Sequence, residues 1–516
     1  MAIRMTGMVS GLDTDSIVKE LVSAYSTKKE KYEKEQTKLG WKQEIWKSLN
    51  KEVNSFYKSV GNLRFDSGYN TKKTTSSDST KATVSASGNA TVGTQKLHVL
   101  STAQSGYLTG DEIKTTANEK VTTSTKLSDL GVTADEITFN VGPANNSASG
   151  TTKQIKVGKD STISDVVSQL KDAGLNANFD AGNRRFYLSS SDSGYATDFN
   201  ITASSDTNST TLLNALGLGN TAKKINGSDA VIVLNGVKYT STTNNFSVNG
   251  LSISVNGVTD KVDDLKNVNV DALDDSKAVS ISTTTDTQGI YDKIKDFLTS
   301  YNNIINKMTK LYNADSAKNY EPLTDDEKSQ MSDSEVEKWE TKIKDSLLRR
   351  DSNLSTIMNA MTTSMTKAIS INGKNYALSS FGISTLGYMN AAENEQNAYH
   401  IDGDEDDENT SGNTDKLMAA LSSDPDTVID FMKQLSTNLY TAIDKQMQSN
   451  SLRSRYSIYN DKEMTSQYTS YTKTIAEWET KISDKEDYYY KKFSKMETAL
   501  SKLNSQTSSL SGMFSS

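Results

Sequence analysis

Apolar residues recur along the first part of the chain at alternating spacings of three and four, from Val18 to Leu63. Eleven of the fourteen positions in this series are apolar. Such heptad spacing keeps one stripe of an α-helix facing a partner helix. The series follows the capping-type residues Asp13 to Ser16 and predicts a helix of about 50 residues, roughly 75 Å long. Its candidate interface residues are Val18, Leu21, Tyr25, Leu39, Trp46, Leu49, Val53 and Phe56.

A matching series closes the chain, from Ile475 to Leu510, with eight apolar residues among its eleven positions. We expect the two terminal helices to pair with each other and with other subunits; the alternative is that each packs only on its own domain. A third series, from Ile290 to Leu311, is apolar at all seven positions and predicts a helix that completes a bundle. The candidate interface residues of the closing series are Ile475, Ile482, Tyr489, Phe493, Met496, Leu500, Leu503 and Leu510.

Between about residues 70 and 287 the pattern changes to short β-branched runs separated by Gly, Asn and Ser, which is typical of strands and turns. Two runs, at 230–239 and 246–255, predict hairpins around Asn-Gly turns. One helix is predicted at 162–170, ending near Gly174. Helical patterning returns from 321 to 472. The predicted fold is therefore α+β and multidomain, with helical coiled-coil termini and a helical bundle domain into which two β-rich outer domains are inserted.

This organisation predicts four parts that are nested along the chain. They are terminal coiled-coil helices forming a leg at 1–40 and 473–516, a helical bundle at 41–70 and 282–472, a β-rich outer domain at 71–128 and 229–281, and an outermost β-rich domain with one short helix at 129–228.

The composition excludes several classes of protein. The chain has no Cys, which removes thiol nucleophiles, Cys-ligated metals and disulfides. Its 57 basic and 65 acidic residues give a net charge of −8, so we expect no nucleic-acid binding. The longest apolar run, 230–234, is far shorter than the roughly 18 residues of a membrane-spanning helix. We therefore expect no membrane insertion, and the first residues lack the apolar core of a secretory signal.

Few residues are spaced for chemistry. The acidic run from Asp402 to Glu408 offers oxygen ligands for a hard cation, but an EF-hand requires Gly and Glu where Asp407 and Asn413 stand. We therefore predict a solvated loop. His98 and His400 lack zinc-site spacing, and the chain contains no GxSxG or phosphate-loop motif. The prediction is a protein that is not an enzyme, with no catalytic, cofactor or metal site.

The two chain ends resemble those of the flagellar filament cap family, also called the hook-associated protein 2 family. The opening stretch 7–21, with Ser10-Gly11-Leu12-Asp13-Thr14, is similar to the family's first signature, and 493–506 is similar to its closing helix. Interior segments at 93–103, 381–385 and 415–425 agree in the same order.

The resemblance implies a protein that leaves the cell unfolded through the flagellar export apparatus and acts outside it, at the distal filament tip. It would form a homo-oligomer there, typically a pentameric ring, and promote the folding and insertion of exported flagellin. The other implied partners are the hook–filament junction proteins and an export chaperone before secretion. The missing secretory signal is consistent with that route.

Alternatives remain at this stage. A hook–filament junction protein or a flagellin-like structural protein would also pair its terminal helices, although the 10–13 signature favours the cap. The Ser-, Thr- and Asn-rich β domains are compatible with an adhesin for glycans. A glycan hydrolase would require a convergent acidic pair, which sequence does not reveal.

Overall fold

The computed structural model describes residues 9–117, 120–144 and 151–514, with the backbone alone at 512–514. The chain divides into two compact units. One unit comprises Met1–Tyr69 and Thr287–Ser516, and the other comprises Asn70–Asp286. The second is therefore inserted into the first, in agreement with the nested order that the change of hydrophobic period indicates.

The longest described helices lie in the first unit, and the two described α-helices of the inserted unit are short. In chain order they are α1 (Thr14–Asn62), α2 (Ile163–Asp172), α3 (Thr207–Ala215), α4 (Thr287–Asn313), α5 (Asp325–Ser329), α6 (Asp333–Ser346), α7 (Ser352–Met365), α8 (Lys416–Ser423), α9 (Pro425–Gln446) and α10 (Asp461–Phe514).

The strands lie mainly in the inserted unit. They are β1 (Lys72–Ser76), β2 (Ala82–Ala86), β3 (Gly93–Ser101), β4 (Tyr107–Thr109), β5 (Ile137–Pro143), β6 (Lys153–Val157), β7 (Leu175–Asp180), β8 (Arg185–Ser190), β9 (Phe199–Ala203), β10 (Lys223–Ile225), β11 (Ala230–Leu234), β12 (Val237–Ser241), β13 (Asn245–Val248), β14 (Leu251–Val255), β15 (Val279–Thr285), β16 (Ile369–Ile371), β17 (Lys374–Tyr376), β18 (Ile383–Ser384) and β19 (His400–Ile401).

The first unit has one hydrophobic core, where the C-terminal half of α1 packs with α4, α7 and α9. Trp46 is buried here and stacks on Tyr459, with ring centroids 5.3 Å apart. α9 starts sharply because Asp424 caps it and Pro425 occupies its first turn. The predicted third series, from Ile290, lies on α4 and faces this core, so the predicted bundle forms.

The inserted unit is built from antiparallel sheets. A five-stranded sheet in the order β1-β15-β3-β11-β12 and a three-stranded sheet in the order β13-β14-β2 contribute to one core. The β11–β12 and β13–β14 hairpins turn at Asn235-Gly236 and Asn249-Gly250, all with positive φ. Asn-Gly favours this turn because both residues tolerate the left-handed region. Both predicted hairpins are present.

A separate core takes side chains from two further sheets, β10-β4-β8-β7 and β6-β5-β9, and from α2 and α3, which pack against them. α2 begins at a capping box formed by Thr162 and Asp165, close to the predicted start. Leu108 and Leu127 pack in this core, although the sequence prediction placed them in the other β-rich domain, with its boundary at residue 128. Strand pairing decides the place of Leu108, because β4 hydrogen-bonds to β8, and Leu127 follows the bridge between Lys126 and Thr162. The predicted α+β multidomain fold class is confirmed.

Candidate interface along the terminal helices

α1 and α10 run antiparallel and pack side by side. Residues later in the sequence of α1 contact residues earlier in the sequence of α10, which shows the antiparallel arrangement. From the N-terminal end of α1, hereafter the far end of the pair, the contacts include Ser10 with Glu497, Asp15 with Tyr490, Tyr25 with Trp478, Tyr32 with Tyr471, and Trp46 with Tyr459.

Polar contacts reinforce the far end. The Tyr490 hydroxyl donates to Asp15 at 2.8 Å. Glu497 accepts hydrogen bonds from the side chain of Ser10 and from the backbone N–H of Val9, and these bonds hold the pKa of its carboxyl below the usual range. Asp13 caps α1, and hydrogen bonds from Ser16 lower its pKa in the same way. The Ser10-Gly11-Leu12-Asp13 signature therefore supplies the cap of α1 and a contact with α10 at the far end.

The predicted residues of α1 differ widely in burial. Trp46, Leu49, Val53 and Phe56 are buried in the core of the first unit. Val18 is also buried, whereas Tyr25 and Leu39 are half-buried and Leu21 is exposed.

The structure buries Thr14 and Val22, which the heptad series had passed over. Thr14, Val18, Val22 and Tyr25 follow spacings of four, four and three, so the helix here rotates one residue away from the predicted stripe. The signal was available in the sequence, because Val22 lies one position from Leu21 and is equally apolar.

The stripe on α10 is covered less than that on α1. Its six predicted residues before position 503 are all half-buried: Ile475, Ile482, Tyr489, Phe493, Met496 and Leu500. Leu503 and Leu510 are 60% and 56% exposed. From residue 465 to 511, no described residue of α10 is buried. The heptad stripe of this helix thus keeps apolar surface in contact with water.

The apolar stripe of α10 is uncovered near the C-terminal end of the helix because α10 continues past the N-terminal end of α1. The last described contact of α1 and its cap reaches Glu497, while α10 continues to Phe514. At 1.5 Å per residue this leaves about 25 Å of helix beyond α1. A partner from another chain could cover it.

The acidic run is more ordered than the predicted solvated loop. The Lys295 ammonium lies 2.6 Å from both Asp404 and Asp406, and His400 Nδ1 lies 2.6 Å from Asp407. Burial alone would lower the pKa of Lys295, but its hydrogen bonds with these carboxylates outweigh burial and raise it. A lysine of α4 therefore neutralises the carboxylates that sequence offered to a cation.

The two histidines have structural partners. His98 is buried in the inserted unit, with Nδ1 2.8 Å from Asp260 and Nε2 3.6 Å from Asp275. In the part of the chain that the structure describes, no group of three or more His, Asp or Glu residues is placed to hold a metal ion. Among the same residues, no helix is long and apolar enough to cross a lipid bilayer.

Long terminal helices that pair, with an apolar stripe left partly uncovered, are typical of structural proteins that assemble through helical ends. Comparison with known families agrees. The model of the flagellar hook-associated protein 2 N-terminus matches residues 10–106, and that of the C-terminus matches residues 227–505. The second match alone spans more than half of the sequence. The chain belongs to the flagellar hook-associated protein 2 family.

Individual relatives carry the same names. The flagellar hook-associated protein 2 of Halalkalibacterium halodurans is 24% identical over 568 aligned positions, which cover 99% of this chain and 100% of the relative. Among solved structures, the flagellar cap protein FliD of Escherichia coli (domains D1-D2-D3) is 18% identical, covers 76% of this chain and 94% of its own, and has a TM-score of 0.46. FliD of Pseudomonas aeruginosa is also 18% identical, with coverages of 43% and 93% and a TM-score of 0.30.

The predicted family is confirmed by the family models. Proteins of this family are structural capping proteins rather than enzymes, and they act at the distal tip of the flagellum after export. The matched family also separates this chain from the flagellin-like and junction-protein alternatives.

Proposed function

We propose that the protein caps the flagellar filament, where it assembles with copies of itself and contacts flagellin. Family membership supports the capping role. The observation that carries the assembly role is the apolar stripe that α10 presents beyond the end of α1.

The size of this stripe fits an association site. Burying a Leu side chain stabilises a complex by about 1.5–3 kcal/mol. Leu503 and Leu510 stand two turns apart on one face and are both more than half exposed. Their burial against neighbouring chains would therefore contribute several kcal/mol per copy, enough to order the end of the helix when the cap forms.

The predicted interface residues divide into two groups. Trp46, Leu49, Val53 and Phe56 already lie in the core of the first unit, so a partner could reach them only if the bundle opened. We assign the interface to the residues that keep exposed or half-buried surface. These are Leu21, Tyr25, Leu39, Ile475, Ile482, Tyr489, Phe493, Met496, Leu500, Leu503 and Leu510, whereas Val18, the remaining predicted residue, is buried.

The finer features follow from the family resemblance. They are a ring of five copies, contact with the hook–filament junction proteins, and an export chaperone that holds the chain before secretion. The proposed leg at 1–40 and 473–516 would face the filament, and the bundle and the two β-rich domains are the other proposed parts of the chain. The separate cores of the inserted unit support its division into two domains.

A double substitution of the stripe tests the proposal. Leu503→Ser with Leu510→Ser should leave the far-ultraviolet circular dichroism spectrum unchanged. In a strain that lacks the native protein, the variant should release flagellin monomers into the medium and yield few filaments in electron micrographs. The native chain should restore filaments.

A matched control is available on the opposite face of the same helical segment. Ser505→Ala with Ser508→Ala changes two exposed residues and removes no apolar surface, so filaments should form normally. Normal filaments from the leucine variant would contradict the interface assignment, and normal filaments without any copy of the protein would contradict the capping function.

A further inference from the structure

The turn that joins α9 to α10 holds an exposed tyrosine in a strained backbone conformation. Tyr456 has a φ of 66° and is 51% exposed. A bulky residue rarely adopts this left-handed region, because its Cβ crowds the neighbouring backbone. The N–H of Tyr456 donates to the Met447 carbonyl at 3.0 Å, and its own carbonyl accepts from the side-chain amides of Asn50 and Asn54 on α1. These bonds hold the strained turn against α1.

The neighbouring Arg455 is fixed against the tyrosine ring. Its guanidinium lies 4.4 Å from the centroid of the Tyr456 ring and pairs with Asp444 at 2.6 Å. Asp444 also accepts a hydrogen bond from the Tyr57 hydroxyl at 2.7 Å. Tyr and Arg are enriched among the residues that dominate protein interfaces, and fixed side chains lose little freedom on binding. Because strained backbone also concentrates at functional sites, the pair has the properties of a preformed binding anchor.

Exposed lysines extend this anchor along α1. Lys47, Lys51 and Lys58 share one face of the helix with Asn54, at spacings of three and four. All three lysines are exposed. Because the Asn54 amide bonds the carbonyl of Tyr456 at 2.8 Å, the lysine face lies next to the turn. The basic surface is defined as Lys47, Lys51, Lys58, Arg455 and Tyr456.

The acidic run 402–408 forms a surface of opposite charge on the same unit. Six of its seven residues are Asp or Glu, and two lysines pair with them. One of the two, Lys295 of α4, holds the base of the run. Glu405, Asp406 and Glu408 are exposed, so a surplus of negative charge remains at the surface. These three residues are the acidic surface.

The two surfaces lie on opposite sides of α1. Phe56 of α1 stacks on Phe297 of α4, with ring centroids 6.1 Å apart. Asn54, which holds Tyr456, points about 160° away from Phe56, because consecutive helical residues are about 100° apart. On α4, Lys295 likewise points about 160° away from Phe297. The acidic run therefore lies beyond α4 and the basic surface lies on the other side of α1, so the two cannot pair within one copy.

We propose that the basic surface of one copy binds the acidic surface of a neighbouring copy. This inference rests on the proposed self-assembly of the cap and names the surfaces that meet. A contact between two different surfaces is head-to-tail, and such contacts close into a ring when the rotation between copies allows it. The four cations pair with the carboxylates, and Tyr456 packs against the loop that carries them.

Charge selects a second copy as the partner. Every copy carries both surfaces, so the acidic one is always present at the same concentration as the basic one. Lys295 already fixes the acidic run, so the run loses little freedom when it binds. Two basic surfaces repel each other, as do two acidic ones, so the head-to-tail orientation alone is favoured.

Charge reversal in the full-length chain tests the contact, with self-association followed by analytical ultracentrifugation. Lys47→Glu with Lys51→Glu should weaken association at least about tenfold, and so should Glu405→Lys with Glu408→Lys. Mixing the two variants should restore association, because each one offers the charge that the other lacks. A chain that carries all four changes should also associate. Added salt should weaken the native assembly, since exposed charges are screened.

The anchor and the control have separate variants. Tyr456→Gly removes the ring and suits a positive φ, so the thermal midpoint should stay equal or rise while association weakens. A role in stability alone would lower the midpoint instead. Lys338→Glu with Lys367→Glu reverses two exposed lysines of the same unit and should leave association unchanged. Circular dichroism checks that each variant is folded.

Three results would overturn the contact. They are native-strength association of either reversed variant, no recovery in the mixture, and no self-association of the native chain. In the first two cases self-assembly itself stands and only these surfaces are rejected. In the third, the filament assay described above still reports separately whether the chain caps filaments. Loss of flagellin binding in the lysine variant, with self-association unchanged, would assign the basic surface to flagellin instead.

Discussion

The two halves of α1 carry the same heptad pattern but reach different states of burial. Trp46, Leu49 and Val53 are buried in a core that α4, α7 and α9 complete. Tyr25 and Leu39, on the same predicted stripe, are only half-buried, because α10 is the main helix beside them. A heptad stripe thus specifies which side of a helix is apolar, while the number of neighbouring elements decides how far that side is buried.

The difference predicts a division of roles. The half of α1 inside the bundle should determine the stability of the first unit, because large buried side chains contribute most of it. The half that pairs with α10 should tolerate substitution in the free protein and lose function in the assembled cap.

The largest expected effect is a difference in stability loss between substitutions of two tryptophans, Trp46 and Trp478. Trp46→Ala should lower the free energy of unfolding by about 3–5 kcal/mol, because it leaves a cavity in the bundle core. Trp478→Ala, half-buried against Tyr25, should cost about 1 kcal/mol. Guanidinium unfolding followed by tryptophan fluorescence measures both, since all four Trp residues lie in the first unit. Equal losses would remove the distinction between the halves.

The second effect concerns pH and the acidic loop that packs on the bundle. Burial opposes ionisation of Asp407, but hydrogen bonds from His400 and from the Asn409 backbone outweigh it and lower its pKa. A carboxyl with a lowered folded pKa stabilises the fold above its unfolded pKa of about 3.9, and that stability is lost as the pH falls through the folded value.

Asp407→Asn should therefore reduce stability by roughly 1–3 kcal/mol at neutral pH, and the gap should close below about pH 4. Thermal unfolding of both proteins between pH 3 and pH 7, at the ionisation range of carboxyls, measures it. A gap that stays constant over this range would show that the carboxylate charge contributes nothing.

A smaller effect is expected when a glycine in either half of α1 is replaced by alanine. A Cβ at Gly40 would lie 3.7 Å from Tyr468, an ordinary contact, whereas at Gly61 it would lie 3.3 Å from Tyr440. Gly40→Ala should stabilise α1 by about 0.5–1 kcal/mol through its helix propensity. Gly61→Ala should gain less, because Tyr440 stacks on Tyr57 at 4.2 Å and has little room to move. The thermal unfolding midpoints of the two variants measure these gains in stability. A larger rise in midpoint for Gly61→Ala than for Gly40→Ala would contradict the prediction.

The smallest expected effect lies at the far end of the pair. Glu497→Gln weakens the hydrogen bonds that Val9 and Ser10 donate, yet Glu497 is only half-buried and lies outside the core of the first unit. The thermal midpoint should stay unchanged, while amide hydrogen exchange at residues 9–12 should become faster. A lower midpoint would show that the far end contributes to global stability.

Local signals in the sequence were enough for much of the fold. Each Asn-Gly pair between two apolar runs predicted its hairpin, because the turn depends only on the two residues at its centre. The capping residues of α1 and α2 were predicted for the same reason. The predicted stripe on α1 matches the buried residues inside the bundle. Nearer the N-terminus it included Leu21, which is exposed, instead of Val22, which is buried. A straight α-helix drifts from a strict seven-residue repeat, and packing chooses among neighbouring apolar positions.

Contacts between residues far apart in the sequence could not be predicted from such local signals. Lys295 meets Asp404 across more than a hundred residues of chain, and nothing near either residue indicates the pair. Likewise Tyr107 and Tyr187 lie on neighbouring strands only because β4 pairs with β8.

The sequence by itself determined the order of helical and β-rich segments, the apolar stripes at both ends and the family, since each depends on residue types at short spacing. The tertiary structure alone decided which parts of those stripes are buried, which β core takes Leu108 and Leu127, and how far α10 extends past its partner. These outcomes depend on which distant segments pack together, and packing is settled by the complementary shape and charge of whole surfaces rather than by any local pattern.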